Sequence, residues 1–501
     1  MKILKRLVVI APFILLEIWL LYLLIHFLAP YSVYISTILT VVRIFVILFI
    51  VSSRQESNYK LLWTIIVMLM PIAGTVMYLL FGNRATGHRI MRKINKARNK
   101  LPELPEKDIS DYCKAHYISR LNSSLKYVEK ISGFPIADCE SVEYFPLGED
   151  YWYSLVDEIQ KAEKYIFLEF FIVQEGLMWS TMRDLLAQKV QEGVDVRFIY
   201  DDLGSIGTFS GEDTKKLERA GIKYVAFNRL TFLRGSLNNR THRKMVIIDG
   251  KVAFTGGINL ADEYINAVER FGHWKDIGFK ITGPAVANYL HMFVQVWNAI
   301  SWNPLSGAVY DFVPETTEAN DGYVLSYYDS PANYDPCSNN FYIEMLGNAR
   351  ERAWFYTPYL ILGDGLLDAL VRAAKRGVDV RIIMPGIPDK KTVFRLSRSF
   401  YRELIKAGVK IYEYTPGFVH AKASLYDDDV CTVGTVNLDY RSLFLHFENN
   451  SIFVDSSIHK ALEDDYLDTL EKCKKITAED LDSRFLSRIL TGFIRVLAPL
   501  M

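Results

Sequence analysis

The chain has 501 residues, enough for two to four domains of ordinary size. Its 58 Lys and Arg balance 58 Asp and Glu, which excludes a nucleic-acid binder working through a strongly basic field, and half its residues are apolar, which excludes a largely disordered chain. Five dispersed cysteines (Cys113, Cys139, Cys337, Cys431, Cys473) without a C-x-x-C exclude a disulfide framework or a zinc ribbon, and read as small buried hydrophobes.

Three apolar runs open the chain: Leu7–Leu28, Val33–Val51 and Leu61–Phe81. Each is about the length that crosses a ~30 Å hydrocarbon core as a helix, and none resembles a cleaved leader. The first two carry one charge each, Glu17 and Arg43. An unpaired charge at mid-membrane costs ~3 kcal/mol, so a hairpin pairing the two is one solution and a shallow or re-entrant second run is the other. Residues 1–82 are thus predicted as an anchor of two or three transmembrane helices. The basic residues around it favour a multi-pass protein of the cell membrane with a cytoplasmic catalytic body.

A basic, polar connector follows over residues 83–135. Beyond it, strand-like runs alternate with helical stretches, as in α/β proteins. The pattern repeats. Gly193-Val194-Asp195-Val196-Arg197 matches Gly377-Val378-Asp379-Val380-Arg381, and Ala220-Gly221 echoes Ala407-Gly408. In each, a helix ends at glycine and a buried strand begins. This divides the body into repeat 1 (residues 136–310) and repeat 2 (residues 311–476).

Each repeat carries the same chemical string. His242-Arg243-Lys244 is followed by Asp249 and then by Gly256-Gly257-Ile258-Asn259. His420-Ala421-Lys422 is followed by Asp427 and then by Gly434-Thr435-Val436-Asn437. Both fit H-x-K-x4-D, and Asn lies 17 residues after His in both. Met245–Ile248 and Ala423–Tyr426 are predicted strands, with turns at Asp249-Gly250 and Asp427-Asp428 and returning strands at Val252–Phe254 and Val430–Val433. In extended chain, residues i and i+2 share a face, so imidazole and ammonium arrive together at one sheet edge.

One copy supplies half a site. Two copies across a pseudo-twofold axis supply two imidazoles, two ammoniums and two amides, a set suited to a phosphodiester. Lys244, Lys422, Asn259 and Asn437 would hold the anionic oxygens, while one imidazole attacks phosphorus and the other protonates the leaving alkoxide. Asp249 and Asp427 would either orient an imidazole or bind the lysine. The lysines neutralise the charge, so neither metal nor other cofactor is expected. The other histidines (His26, His88, His116, His273, His291, His446, His459) read as structural or surface residues. The tail, residues 477–501, is predicted as an amphipathic helix starting at Thr477-x-x-Asp480. It would lie at the membrane interface or pack on the body.

The doubled H-x-K-x4-D with trailing G-x-x-N resembles the phospholipase D superfamily, and within it the bacterial cardiolipin synthases. The likeness extends through Leu79-Leu80-Phe81-Gly82, Phe167–Ile172, Tyr200–Ser205, Asn239–Lys244, Phe271–Asp276, Thr357-Pro358-Tyr359, Gly434–Ser442 and Phe447-Glu448. What the resemblance implies is an α/β fold of two phospholipase D-like αβ repeats packed with pseudo-twofold symmetry, preceded by transmembrane helices. It also implies a membrane-integrated synthase that moves a phosphatidyl group between two phosphatidylglycerol molecules in the bilayer. The products would be cardiolipin and glycerol, formed through a phosphohistidine. By the same resemblance His242 is the nucleophile and His420 the acid, then the base. The alternatives are another transphosphatidylase or a phospholipid hydrolase. A nuclease of the same fold fits poorly with zero net charge.

Overall fold

Two sheets that share one topology form the body of the computed structural model. It describes residues 15–16, 18–20, 22–23, 32–82, 85–116, 119–229, 238–316, 320–332, 335–428, 430–481, 492 and 494–500. In chain order the first nine strands are β1 (Ala137–Asp138), β2 (Ser141–Phe145), β3 (Tyr165–Phe170), β4 (Asp195–Asp201), β5 (Lys223–Phe227), β6 (Met245–Ile248), β7 (Val252–Gly256), β8 (His273–Lys275) and β9 (Gly278–Thr282). The next nine are β10 (Tyr323–Asp329), β11 (Arg352–Tyr356), β12 (Asp379–Pro385), β13 (Lys410–Tyr414), β14 (Gly417–Val419), β15 (Ala423–Tyr426), β16 (Val430–Gly434), β17 (Glu448–Val454) and β18 (Cys473–Ile476).

The first sheet runs β2-β9-β7-β6-β3-β4-β5 and the second β1-β10-β17-β16-β15-β11-β12-β13-β18. The segment β9-β7-β6-β3-β4-β5 thus has its counterpart in β17-β16-β15-β11-β12-β13. In both, the parallel pair of first and second repeat strands is met on its other side by an antiparallel hairpin. The central strands β3, β6 and β11 are buried almost throughout, as their apolar runs require. The helix Val286–Ile300 is buried over most of its length and packs against strands of both sheets, closing the core between the repeats.

The repeats also join through backbone. β8 pairs in parallel with β14, Gly417 opposite His273. Thr241 bridges Phe447. These exchanges put the segments that end in His242 and His420 against the opposite repeat.

Three expectations change. First, the run Leu61–Phe81 is not one spanning helix. It breaks at Met70 and Pro71, where proline cannot continue the ladder, and becomes a helix Ser57–Leu69, a short helix Ala73–Met77 and a π-helical turn Tyr78–Gly82. Tyr59, Trp63 and Val67 are buried against the body; Tyr59 stacks on Tyr440 at 5.9 Å, and Asn238 Nδ2 donates to the Phe81 carbonyl. Among the described residues one helix, Ser32–Ser52, is long and apolar enough to cross a bilayer, with most of that face exposed. Glu17 lies outside the described residues, so the pairing with Arg43 does too. Second, the polar connector is helical over Ala85–Arg98, Ser110–Ala115 and Ser119–Ser132, and its neighbour β1 joins the second sheet rather than the first. Third, Thr477–Leu481 is not helical. Asp480 instead accepts from the Thr477 N–H and hydroxyl, while Arg495 packs on Phe400 and donates to the Ser399 carbonyl. The described end of the tail therefore packs on the body; residues 482–491 and 493 lie outside the described set.

Candidate active site

The two motif hairpins form as the sequence predicts. The turn at Asp249-Gly250 has positive φ at both residues, +53° and +67°, which reverses β6 into β7. Asp427 takes the same conformation, φ +47°, between β15 and β16. Each strand is preceded by its extended H-x-K, so imidazole and ammonium share a face. The residue between them points away: Arg243 is fully buried and pairs with Glu169 at 2.8 Å, and Ala421 is buried in the second core.

The two aspartates are elsewhere. Asp249 accepts the backbone N–H groups of Glu163, Lys164 and Tyr165, each at 2.8 Å. Asp427 accepts those of Arg350, Glu351 and Arg352. The reason is geometric. Asp lies five steps along the strand from Lys, about 16 Å at ~3.3 Å per residue. The carboxylates therefore sit at the far end of the hairpin, fastening it to the loop before β3 or β11. Neither orients an imidazole nor binds the motif lysine.

The imidazoles are held by carboxylates that cross between repeats. His242 Nδ1 lies 2.8 Å from Glu448 Oε2, at the start of β17. His420 Nδ1 lies 2.6 Å from Asp276 Oδ2, between β8 and β9. The backbone makes the same exchange: His242 N donates to the Phe447 carbonyl and His420 N to the Lys275 carbonyl, both at 2.7 Å. Thr435 Oγ1 donates to Glu448 at 2.6 Å, and the Ile277 N–H to Asp276 at 2.9 Å. Gly257 is required here, because a Cβ at that position would collide with the Asp276 carboxylate.

Lys244 and Lys422 are buried beside their histidines and donate to the carbonyls of His242 and His420. Asn259 accepts from the Ile172 N–H and donates to Tyr264 Oη; Asn437 donates to Asp439. A primary amide has two N–H donors, so each keeps one beyond the donation seen. Phe171 meets the edge of His242 at 5.0 Å, Tyr264 that of His420 at 5.3 Å, and Trp274 lies 5.4 Å from His420.

Burial dominates the electrostatics. It lowers both imidazoles well below their usual value, with Lys244 and Lys422 acting on each in the same direction. This mutual influence joins the half-sites into one charged centre. Burial lowers Lys422 to about 8 and raises Glu448 to about 7 and Asp276 to about 6. The unliganded site thus holds neutral imidazoles and strained ammoniums, a centre short of negative charge. A phosphodiester would supply it.

Glu448, Asp276, Thr435 and His446 escaped the sequence reasoning as site residues. The first two do stand in the stretches Phe447-Glu448 and Trp274-Lys275-Asp276 that carried the resemblance. His446, read as structural, is buried with its ring 5.9 Å from that of His242. Among the described residues no group of three His, Cys, Asp or Glu has the arrangement of a metal site.

A family described as cardiolipin synthase, PLD-like domain, matches residues 155–297 and 342–469, and one described as phospholipase D-nuclease N-terminal matches residues 38–83. The chain is 40% identical to an uncharacterized protein of Streptococcus mutans serotype c over 91% of its own length and 99% of that protein. It is 33% identical to cardiolipin synthase 2 of Bacillus anthracis over 89% of its own length and 88% of the relative. In fold it resembles a phosphatidylserine synthase of Haemophilus influenzae Rd KW20, with a TM-score of 0.58 and 14% identity, over 75% of this chain and 98% of that one.

Proposed function

The chain belongs to the bacterial cardiolipin synthases of the phospholipase D superfamily and is a phosphatidyltransferase of that type, and from this premise we propose that it joins two phosphatidylglycerol molecules into cardiolipin, releasing glycerol. The observation that carries the reading is the pair of crossed contacts, His242 to Glu448 and His420 to Asp276, with a buried lysine beside each imidazole.

The chemistry proceeds in two displacements. Nε2 of neutral His242 attacks phosphorus of the first phosphatidylglycerol. The bond from phosphorus to the headgroup glycerol oxygen breaks, and that oxygen takes a proton from His420. Glycerol leaves, and a phosphatidyl group remains on His242. A hydroxyl of the second phosphatidylglycerol then gives its proton to His420 and attacks phosphorus, and the bond to His242 breaks. Lys244, Lys422 and the remaining N–H groups of Asn259 and Asn437 hold the phosphoryl oxygens, whose charge grows in each transition state. The bound anion supplies the counter-charge that lets His420 carry its proton. Glu448 and Asp276 hold the two imidazoles at Nδ1, where Lys422 Nζ also lies 2.7 Å from His420, and leave Nε2 to act on phosphorus.

One phosphodiester and one alcohol become another of each, so the step is near thermoneutral and needs no nucleotide. Water must be kept from the intermediate, which favours a site at the bilayer. In this reading residues 1–82 anchor the body, with Ser32–Ser52 as a membrane-crossing helix, and repeats 136–310 and 311–476 act as one unit on the cytoplasmic side.

Incubating the full chain in vesicles with headgroup-labelled and acyl-labelled phosphatidylglycerol tests the proposal. Cardiolipin and free glycerol in equal amounts, lost with His242→Ala or His420→Ala, are expected. Phosphatidic acid as the sole lipid product would overturn it in favour of hydrolysis.

A further inference from the structure

Two buried polar atoms beside His242 have no hydrogen-bond partner: Oε1 of Glu448 and Nε2 of His446. Buried polar atoms are usually paired, and Oε1 of Glu448 is open to one further donor. The two side chains are already close. His446 Nδ1 is 3.9 Å from that same Oε1, and closing by about 1 Å would make a hydrogen bond. The other oxygen of Glu448 is occupied by His242 and by the Thr435 hydroxyl.

The two half-sites differ at this position. His446 stands two residues before Glu448, as Trp274 stands two residues before Asp276. Each ring packs by the histidine of the opposite repeat, at 5.9 Å and 5.4 Å. An indole has no ring nitrogen that matches Nδ1. The second oxygen of Asp276 is already filled by the Ile277 N–H, whereas that of Glu448 is open and has a ring nitrogen nearby.

We propose that His446 is a positioning residue: with the lipid phosphate bound, it donates Nδ1–H to Glu448 Oε1 and so locks the carboxylate that holds His242. The inference rests on the proposed function, in which His242 is the attacking imidazole. The charged groups facing His446 are Arg441, Arg240, Lys244 and His242, with Glu448 as counter-charge. Ser442 Oγ, buried and close enough to Glu448 to help hold it down, is the competing donor. A donor on Oε1 favours the ionised carboxylate, against the burial that raises it. Losing that donor should therefore move the acid limb of the pH–rate profile upward.

The test uses full-length protein in phosphatidylglycerol vesicles, with kcat, KM and the pH profile measured for His446→Phe, His446→Gln and Ser442→Ala. His446→Phe is expected to lower kcat about tenfold or more with KM nearly unchanged, and to shift the acid limb upward. His446→Gln, whose amide can donate to Oε1, should recover most of the rate and the limb, and Ser442→Ala should move the limb less than His446→Phe does. A wild-type limb in both His446 variants overturns the proposal, whatever their rates. So does a limb that moves with Ser442→Ala and not with His446→Phe. If the wild type yields only phosphatidic acid, the synthase reading fails, while the same limb measured on hydrolysis still decides the role of His446.

Discussion

Asp276→Asn separates the crossed contact from everything else in the second half-site. The carboxylate is fully buried, 2.6 Å from His420 Nδ1, and also takes the Ile277 N–H. Burial pushes it up to about 6, against the pull of Lys422. A folded value above the unfolded one means that the carboxylate destabilises the fold as pH rises through that range. The penalty is absent below about 4 and fully present above about 6, and two units correspond to about 3 kcal/mol. Asparagine removes it and leaves the backbone bond from His420 N to the Lys275 carbonyl, so the melting temperature at pH 7 should hold within a few degrees. Activity should not hold. An amide cannot enforce the Nδ1–H tautomer or support the charged ring, and the loss of a general acid is worth about 10²–10⁴ in kcat, or roughly 3–5 kcal/mol. Initial rates of cardiolipin formation from labelled phosphatidylglycerol measure this, with His420→Ala and the double variant beside it. The double variant should be no slower than His420→Ala alone, because Asp276 acts through that ring. A single variant within about fivefold of wild type, or two losses that multiply, would refute the crossed-pair argument.

Two further outcomes follow from the same geometry. Asp427→Ala removes three backbone hydrogen bonds far from the imidazoles, and should lower stability by about 1–3 kcal/mol while kcat of the folded fraction stays near wild type; thermal melts with activity normalised to folded protein check this. The profile of kcat/KM should be a narrow bell. Glu448, raised by burial to about 7, must ionise to hold His242, which sets the acid limb, and Lys422, lowered by burial to about 8, must keep its proton, which sets the basic one; Lys422→Arg should move the basic limb upward in a rate measurement across pH 5–10.

The sequence made the hairpins legible because their signal is local. A four-residue apolar strand, a turn that accepts positive φ and a returning strand are all set by neighbours, and β6, β7, β15 and β16 form where expected. The pairing of His with Lys follows from the two-residue period of a strand. The same arithmetic, carried on to Asp249 and Asp427, places them beyond reach of the rings. What the sequence hides is contact at long range. Glu448 is 206 residues from His242, and Asp276 is 144 from His420. No periodicity encodes the exchange between repeats, and only the resemblance pointed at those stretches. The run Leu61–Phe81 misled for a related reason. Apolarity states that a segment leaves water, while Pro71 and the buried faces of Tyr59 and Trp63 determine that this one docks on protein.

The exchange also fits a duplicated domain to the proposed mechanism, in which the two histidines behave differently. Crossing lets each repeat tune the other's ring independently. His242 receives a glutamate that shares its oxygens with Thr435 and lies by His446; His420 receives an aspartate fixed by its own backbone and walled by Trp274, Tyr264 and Phe418. A longer carboxylate suits the role proposed for His242, taking and releasing phosphorus. A shorter one in an aromatic wall suits the role proposed for His420, cycling a proton away from water. Because each half-site is built from both repeats, neither repeat contains a complete pair of imidazole and carboxylate, and the chemistry belongs to their interface.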